Sequence, residues 1–186
     1  RNSQNGQINY KVPSLNITDH FEATFEYQAG WGTGADATYF YFFNSGNPSN
    51  EFSNKNGYVI ALSEYHDKLM IKHSGQKLSD LSYPNIDDKK WHAVKIVFNN
   101  KNIKVFVDGE LKKEFKDTKS RSRSGTFLGL GGRTGGSNHY HRVRKFNLKK
   151  IKSDSEELLI HDFFETFQIT SEQGEIGLSE GGKVSL

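Results

Sequence analysis

The chain has 186 residues, of which 34% are hydrophobic and 13% aromatic, and it contains no cysteine. This length suits one domain with its own core, the aromatic content excludes a disordered chain, and the lack of cysteine excludes disulfide scaffolds, thiolate metal sites and a cysteine nucleophile. The formal net charge is only +3, because 25 basic side chains are nearly balanced by 22 acidic ones, so we expect no nucleic-acid partner.

No apolar run reaches the length of a membrane span, and the opening segment RNSQNGQINY lacks the apolar core of a signal peptide. We therefore expect no membrane insertion. Because the chain begins with Arg1 and not with methionine, we expect a processed form or a part of a larger polypeptide.

Apolar residues recur with period two in short segments that are separated by clusters of Gly, Asn, Asp and Ser, which is the pattern of antiparallel sheets. An all-β fold is therefore predicted. In TYFYFF nearly every side chain is aromatic, so both faces of this strand should be covered. The predicted strands are Ile8–Val12, Phe21–Gln28, Thr38–Phe43, Tyr58–Ser63, Lys68–His73, His92–Phe98, Asn102–Val107, Glu110–Phe115, Thr126–Leu130 and Arg142–Leu148.

Short polar connections predict two hairpins. Asp108-Gly109 lies between two alternating strands, and this dipeptide is a strong signal for a tight hairpin turn. The polar segment Tyr65–Lys68 predicts a second hairpin. Near the C-terminus, Ser153–Phe167 fits either a capped short helix or a strand, of which we favour the strand, and Gly174–Leu186 predicts a glycine-rich hairpin.

Three stretches together resemble the L-type (legume-type) lectins and the wider concanavalin A-like superfamily. They are Gly32–Phe43 (GTGADATYFYFF), Trp91–Gly109 (WHAVKIVFNNKNIKVFVDG) and Phe127–Phe146 (FLGLGGRTGGSNHYHRVRKF). The resemblance covers residues 21–148. It implies a concanavalin A-like jelly-roll β-sandwich of two antiparallel sheets, with residues 1–186 as a single domain and 149–186 as closing strands or a C-terminal extension.

The same resemblance implies a carbohydrate site. The Asp of the Gly-Ala-Asp turn, here Asp36, would accept hydrogen bonds from sugar hydroxyls, while backbone amides of the Thr-Gly-Gly loop would donate to them. These amides belong to Gly135, Gly136 and Ser137. An aromatic platform for the C–H face of the sugar is sought among Trp31, Tyr65, His139 and Tyr140, and we place Trp31 and Tyr140 in the predicted site. The structural alternative for Asp36 is an ordinary turn residue that satisfies backbone amides.

The chain departs from the metal-dependent members of this family. Their Glu-x-Asp strand is missing, because Leu62 and Ser63 precede Glu64, and the connection Tyr65–Lys68 is too short to wrap a calcium ion. We therefore expect no cofactor and disfavour calcium. His139 and His141 alternate on a strand, but no third ligand for zinc is spaced nearby.

These observations predict a non-catalytic carbohydrate-binding module whose partner is a glycan or glycoprotein, in an extracellular, cell-surface or secretory-lumenal location. No Glu-x-Asp-x-x-Glu run is present for a glycosidase. The alternative is a structural or protein-binding adhesion module, laminin-G-like or part of a larger surface or virion protein. An exposed apolar patch without a polar pocket at Asp36 would favour that alternative. The basic residues of Arg142–Lys152 are interpreted as a solvated strand face.

Overall fold

The computed structural model describes residues 5–34, 36–43, 57–119, 124–137, 139–152, 155–161, 167–169 and 176–178. Every regular element in this part of the chain is a β-strand. The strands are β1 (Asn5–Asn16), β2 (Phe21–Gly30), β3 (Ala37–Phe43), β4 (Gly57–Ser63), β5 (Lys68–His73), β6 (Gln76–Ser82), β7 (His92–Asn99), β8 (Asn102–Val107), β9 (Glu110–Lys116), β10 (Ser124–Arg133), β11 (Tyr140–Lys152), β12 (Ser155–His161), β13 (Phe167–Ile169) and β14 (Ile176–Leu178).

The strands form two antiparallel sheets, as predicted. The six-stranded sheet has the order β1-β10-β3-β4-β5-β6, and the eight-stranded sheet has the order β14-β13-β11-β2-β7-β8-β9, with β12 also paired to β11. Strands β12, β13 and β14 thus extend the eight-stranded sheet through β11. The single-domain assignment for residues 1–186 stays a prediction.

The core lies between the sheets and is rich in stacked aromatic rings. Phe21 of β2 and Phe98 of β7 stack with their ring centroids 4.6 Å apart, and Phe42 of β3 lies 5.3 Å from Phe21 across the sandwich. These distances fall within the range that favours aromatic pairs. The alternating apolar residues of the sequence therefore supply the inner faces of both sheets.

Strand β3 is buried on both faces, which confirms the prediction for TYFYFF. Phe40 and Phe42 join the main core, whereas Tyr39 and Tyr41 belong to a second buried cluster. The rings of these tyrosines lie against glycines of β10: a Cβ built on Gly131 would come within 2.5 Å of the Tyr39 ring. Glycine in β10 therefore makes room for the tyrosine layer.

The hairpins at Asp108-Gly109 and at the β4–β5 connection are confirmed, and so is the strand preference within Ser153–Phe167, where β12 forms. Strand β6 was not predicted from sequence, because QKLSDLS is a largely polar edge strand without β-branched residues. Most of the predicted hairpin Gly174–Leu186 lies outside the described residues. In the part of the chain described, no helix has the length and apolar character needed to cross a membrane.

Strand pairing brings three connections to one end of the sandwich. Arg133 of β10 pairs with Ala37 of β3, so the β10–β11 connection lies beside the β2–β3 connection. Thr38 pairs with Leu62 of β4, which adds the β4–β5 turn on the other side. This end of the sandwich contains the predicted carbohydrate site.

Candidate functional site

Asp36 immediately precedes β3, and its backbone is fixed from two directions. Its amide donates a 2.6 Å hydrogen bond to the carbonyl oxygen of Arg133, which continues the β3–β10 ladder by one residue. Its carbonyl oxygen accepts hydrogen bonds from Ser63 Oγ at 3.1 Å and from the Tyr65 amide at 3.3 Å. The position of Asp36 is therefore set by both neighbouring connections.

The structure brings Asp36 and Gly135 into direct contact. A Cβ built on Gly135 would lie 2.7 Å and 2.8 Å from the two carboxylate oxygens of Asp36. These distances are too short for carbon and oxygen, so a larger residue at position 135 would displace the Asp36 carboxylate. The sequence resemblance predicted that these loops act together, and the fold places them side by side.

The Asp36 carboxylate is held on one side and open on another. Arg133 Nε lies 3.4 Å from Asp36 Oδ2, and the Asp36 side chain remains 22% exposed. A carboxylate offers several lone-pair sites, so the ion pair leaves acceptor capacity for further hydrogen bonds. Asp36 can therefore receive donors from a ligand without first losing its own partner.

A cavity of about 420 Å³ opens beside Asp36. Ser63, Tyr65 and His66 line the side formed by the β4–β5 turn. Tyr65 is 65% exposed, and its ring meets His66 edge-on at a centroid distance of 4.8 Å. The remaining wall comes from β5 and the residues that follow it: Met70, Lys72, Gly75 and Lys77. Of the residues lining this cavity, only Asp36 belongs to the site predicted from sequence.

Trp31 and Tyr140 lie on the side of the eight-stranded sheet instead. Tyr140 pairs with Gly30 across β11 and β2, and the Arg142 guanidinium stands 5.0 Å above the Trp31 ring. Trp31 has a φ of 61° and is 45% exposed. A positive φ is costly for a bulky residue, so the fold holds an exposed indole in a strained conformation next to the Asp36 loop.

The other predicted donors differ in their surroundings. Gly136 is exposed, and a Cβ built on it would meet no atom within 4 Å. Ser137 is partly buried. The loop therefore contacts Asp36 through Gly135 and turns outward at Gly136, where its backbone is accessible.

The outer face of the eight-stranded sheet carries a second depression. Two cavities of about 350 and 430 Å³ share Thr24 and Asn147. The basic residues on this face of the sheet have acidic partners. Arg144 Nε lies 2.5 Å and Lys145 Nζ 2.8 Å from the carboxylate oxygens of Glu26. This agrees with the interpretation of the basic segment as a solvated strand face.

A separate ionic cluster fixes the start of β7. His92 Nδ1 lies 2.6 Å from Asp108 Oδ2, and His92 Nε2 lies 2.9 Å from Asp88 Oδ1. Burial alone would lower the pKa of His92, but the hydrogen bonds to Asp108 and Asp88 outweigh burial and raise it. Burial alone would raise the pKa of Asp88, but its hydrogen bonds, including the one with His92, outweigh burial and lower the pKa to about 2. We interpret this cluster as structural.

The His92 cluster predicts a pH-dependent contribution to stability. The part of the free energy of unfolding that comes from the raised pKa of His92 is fully present below about pH 6.5, the pKa of histidine in an unfolded chain. It is lost as the pH rises through the pKa of His92 in the folded chain. The contribution of the lowered Asp88 pKa to the free energy of unfolding is fully present above about pH 4 and is lost as the pH falls towards 2. Replacing His92 by Gln should therefore cost about 1 kcal/mol between pH 4 and 6.5, and less at pH 9, as measured by urea denaturation. An equal cost at both pH values would contradict this.

Comparison with known families gives one match. A family model described as the laminin G domain matches residues 40–150, which run from β3 to near the end of β11. The chain matches no curated protein sequence.

Comparison with solved structures gives the same type of sandwich. The exoplasmic/lumenal domain of VIP36, in a form bound to Ca²⁺ and Man3GlcNAc, superimposes with a TM-score of 0.64 at 15% identity, covering 83% of this chain and 77% of that one. Lectin UEA-II complexed with galactose gives 0.60 at 12% identity, with coverages of 78% and 80%. Carbohydrate-binding module CBM66 from Bacillus subtilis gives 0.50 at 17% identity, with coverages of 70% and 81%.

Within the described residues, no group of three or more His, Asp or Glu side chains is placed to hold a metal ion. Glu64 is buried and its Oε1 lies 3.2 Å from Thr38 Oγ1. His139 and His141 are neighbours, as their alternation predicts, with ring centroids 5.4 Å apart, but both are buried.

Proposed function

Because the chain belongs to the laminin G domain family and has the concanavalin A-like sandwich fold, we propose that it is a non-catalytic carbohydrate-binding module. Its ligand is a glycan, free or on a glycoprotein, held at the end of the sandwich where Asp36 lies. The observation that carries this proposal is the Asp36 carboxylate, which touches Gly135 on one side and opens into a cavity on the other.

The chemistry of the site suits a sugar. The Asp36 carboxylate accepts hydrogen bonds from adjacent hydroxyls, and charged acceptors make the stronger bonds. The exposed backbone at Gly136 supplies a donor that a ring can approach closely, and the partly buried Ser137 follows it with a second amide. Tyr65 borders the cavity as an exposed ring on which the C–H face of a sugar can pack. The sequence offered Tyr65 for this role alongside Trp31, His139 and Tyr140.

The structural neighbours support the same class of ligand. VIP36 was crystallised with Man3GlcNAc and UEA-II with galactose, so domains of this fold hold neutral sugars. The lumenal or exoplasmic origin of the VIP36 domain supports an extracellular, cell-surface or secretory-lumenal location for this chain.

We further propose that binding needs no calcium. Asp36 forms direct hydrogen bonds with Arg133, Ser63 and Tyr65. These protein groups hold the Asp36 turn in place without a metal ion. The β4–β5 turn offers few ligands for a cation that takes six to eight oxygens.

Two other functions have less support. Catalysis by a carboxylate pair would need a second acid facing the cleft, whereas the Glu64 side chain is wholly buried. An adhesion surface would need a broad apolar patch. Among the described residues, the exposed large apolar side chains are Trp31, Tyr65, Leu111 and Leu158, and Tyr65 borders the same cavity as Asp36.

A glycan array tests this function. The chain should bind a defined set of glycans, and binding should be the same in calcium buffer and in EDTA. Binding that disappears in EDTA would contradict the metal-free site, and failure to bind any glycan in either buffer would contradict the function itself.

A further inference from the structure

The side chain of Glu64 is completely buried, and in the chain Glu64 stands between the two residues that donate hydrogen bonds to Asp36. It stands at the first position of the β4–β5 turn, where Oε1 accepts a hydrogen bond from Thr38 Oγ1 at 3.2 Å and lies 3.5 Å from His141 Nδ1. Thr38 Oγ1 and His141 Nδ1 are themselves 2.9 Å apart. Because Thr38 belongs to β3 and His141 to β11, this small network ties the turn to both sheets.

The buried carboxylate of Glu64 costs folding free energy at this position. Its second oxygen, Oε2, is buried without a hydrogen-bond partner among the described residues. Burying a carboxylate costs free energy unless its lone pairs are satisfied, and replacing buried ionic groups by apolar ones of similar volume is often neutral or stabilising. Global stability therefore gives no reason for an acid here.

The neighbours of Glu64 supply that reason. Ser63, immediately before it, donates its hydroxyl to the Asp36 carbonyl oxygen, and Tyr65, immediately after it, donates its backbone amide to the same oxygen. Fixing the side chain of Glu64 thus fixes the two donors that hold Asp36. Tyr65 is also the exposed ring that borders the cavity.

We propose that Glu64 is a positioning residue, whose buried carboxylate anchors the β4–β5 turn so that Ser63 and Tyr65 hold Asp36 against Gly135. The effect on glycan affinity rests on the proposed function. The effect on the turn itself does not, because it concerns hydrogen bonds that exist without any ligand.

Amide hydrogen exchange at Tyr65 tests the anchor without a glycan. Replacing Glu64 by Met removes both oxygens at similar volume, and we expect exchange at Tyr65 to accelerate about ten-fold, as expected when the turn opens more easily. Replacing Glu64 by Gln keeps an acceptor for Thr38 and should restore exchange to within about two-fold of the original. Replacing Thr38 by Val removes the donor and should reproduce the effect of Met.

Asp117 provides the matched control. It is another buried acid, bound by Tyr58 Oη at 2.6 Å, at the opposite end of the sandwich. Replacing Asp117 by Asn should leave exchange at Tyr65 unchanged even if the chain becomes less stable. This separates a local anchor from a general loss of stability.

The outcomes decide the inference. Faster exchange at Tyr65 in the Met and Val variants, with recovery in the Gln variant, supports the anchor. Unchanged exchange in the Met variant, or equal acceleration in the Asp117 control, overturns it. If the Met variant does not fold, the Val and Gln variants decide in the same way. If the unmodified chain binds no glycan, the proposed function fails, while the exchange data still test the anchor.

Discussion

Replacing Asp36 by Asn is expected to lower glycan affinity by about a hundred-fold, because two charge-assisted hydrogen bonds to sugar hydroxyls are lost or weakened. Asparagine keeps the size of the side chain but has a single acceptor oxygen and no charge. Isothermal titration with the strongest glycan from the array measures the effect. The melting temperature should change little, since the backbone hydrogen bonds of Asp36 with Arg133, Ser63 and Tyr65 remain.

Asp67 is the matched control for this substitution. It is an exposed acid in the adjacent β4–β5 turn, with a φ of 51°, and asparagine tolerates this left-handed conformation well. Replacing Asp67 by Asn removes the same charge without touching the cavity lining. Its affinity should stay within about two-fold of the original. Equal affinities for the two variants would contradict a binding role for Asp36.

Replacing Gly135 by Ala is expected to reduce affinity by about ten-fold while leaving the fold intact. The added methyl group would lie 2.7 and 2.8 Å from the Asp36 oxygens, so the carboxylate must move. The end of a side chain can move at small cost, whereas a displaced acceptor no longer matches the ligand. Titration calorimetry and thermal unfolding together separate the two effects.

The neighbouring glycine gives a comparison. A methyl group on Gly136 would meet no atom within 4 Å, so replacing Gly136 by Ala should change neither stability nor the position of Asp36. Because the backbone of Gly136 is a proposed donor to the sugar, a loss of affinity in this variant would report crowding of that donor. An Asp36 carboxylate that keeps its position in the Gly135 variant would contradict the contact between Asp36 and Gly135.

Much of the fold follows from local patterns. Period-two alternation located most strands, and the aromatic run of β3 correctly predicted burial on both faces. The pattern failed at β6, because an exposed edge strand need not alternate. It also underestimated β10, because Gly131-Gly132-Arg133 at its end looks like a loop until the Tyr39 ring of β3 is seen to lie against Gly131.

The site was less predictable. The contact between Asp36 and Gly135 follows from the order of two loop motifs, because strands β3 and β10 pair where those loops end. The cavity could not be predicted from these motifs, because Tyr65, His66 and Gly75 come from turns whose sequence carries no binding motif. Trp31 follows β2 and Tyr140 begins β11, so both lie on the side of the eight-stranded sheet and outside the cavity lining. Their place in the sugar platform stays a prediction.

The most direct test of a glycan site at Asp36 is a map of amide chemical shifts during titration of the strongest array glycan into the isotopically labelled chain. We predict that the largest changes occur at Asp36, Tyr65, Gly135 and Gly136, around one end of the sandwich. Changes centred instead on Thr24 and Asn147, in the depression on the outer face of the eight-stranded sheet, would contradict the assignment of the site to Asp36.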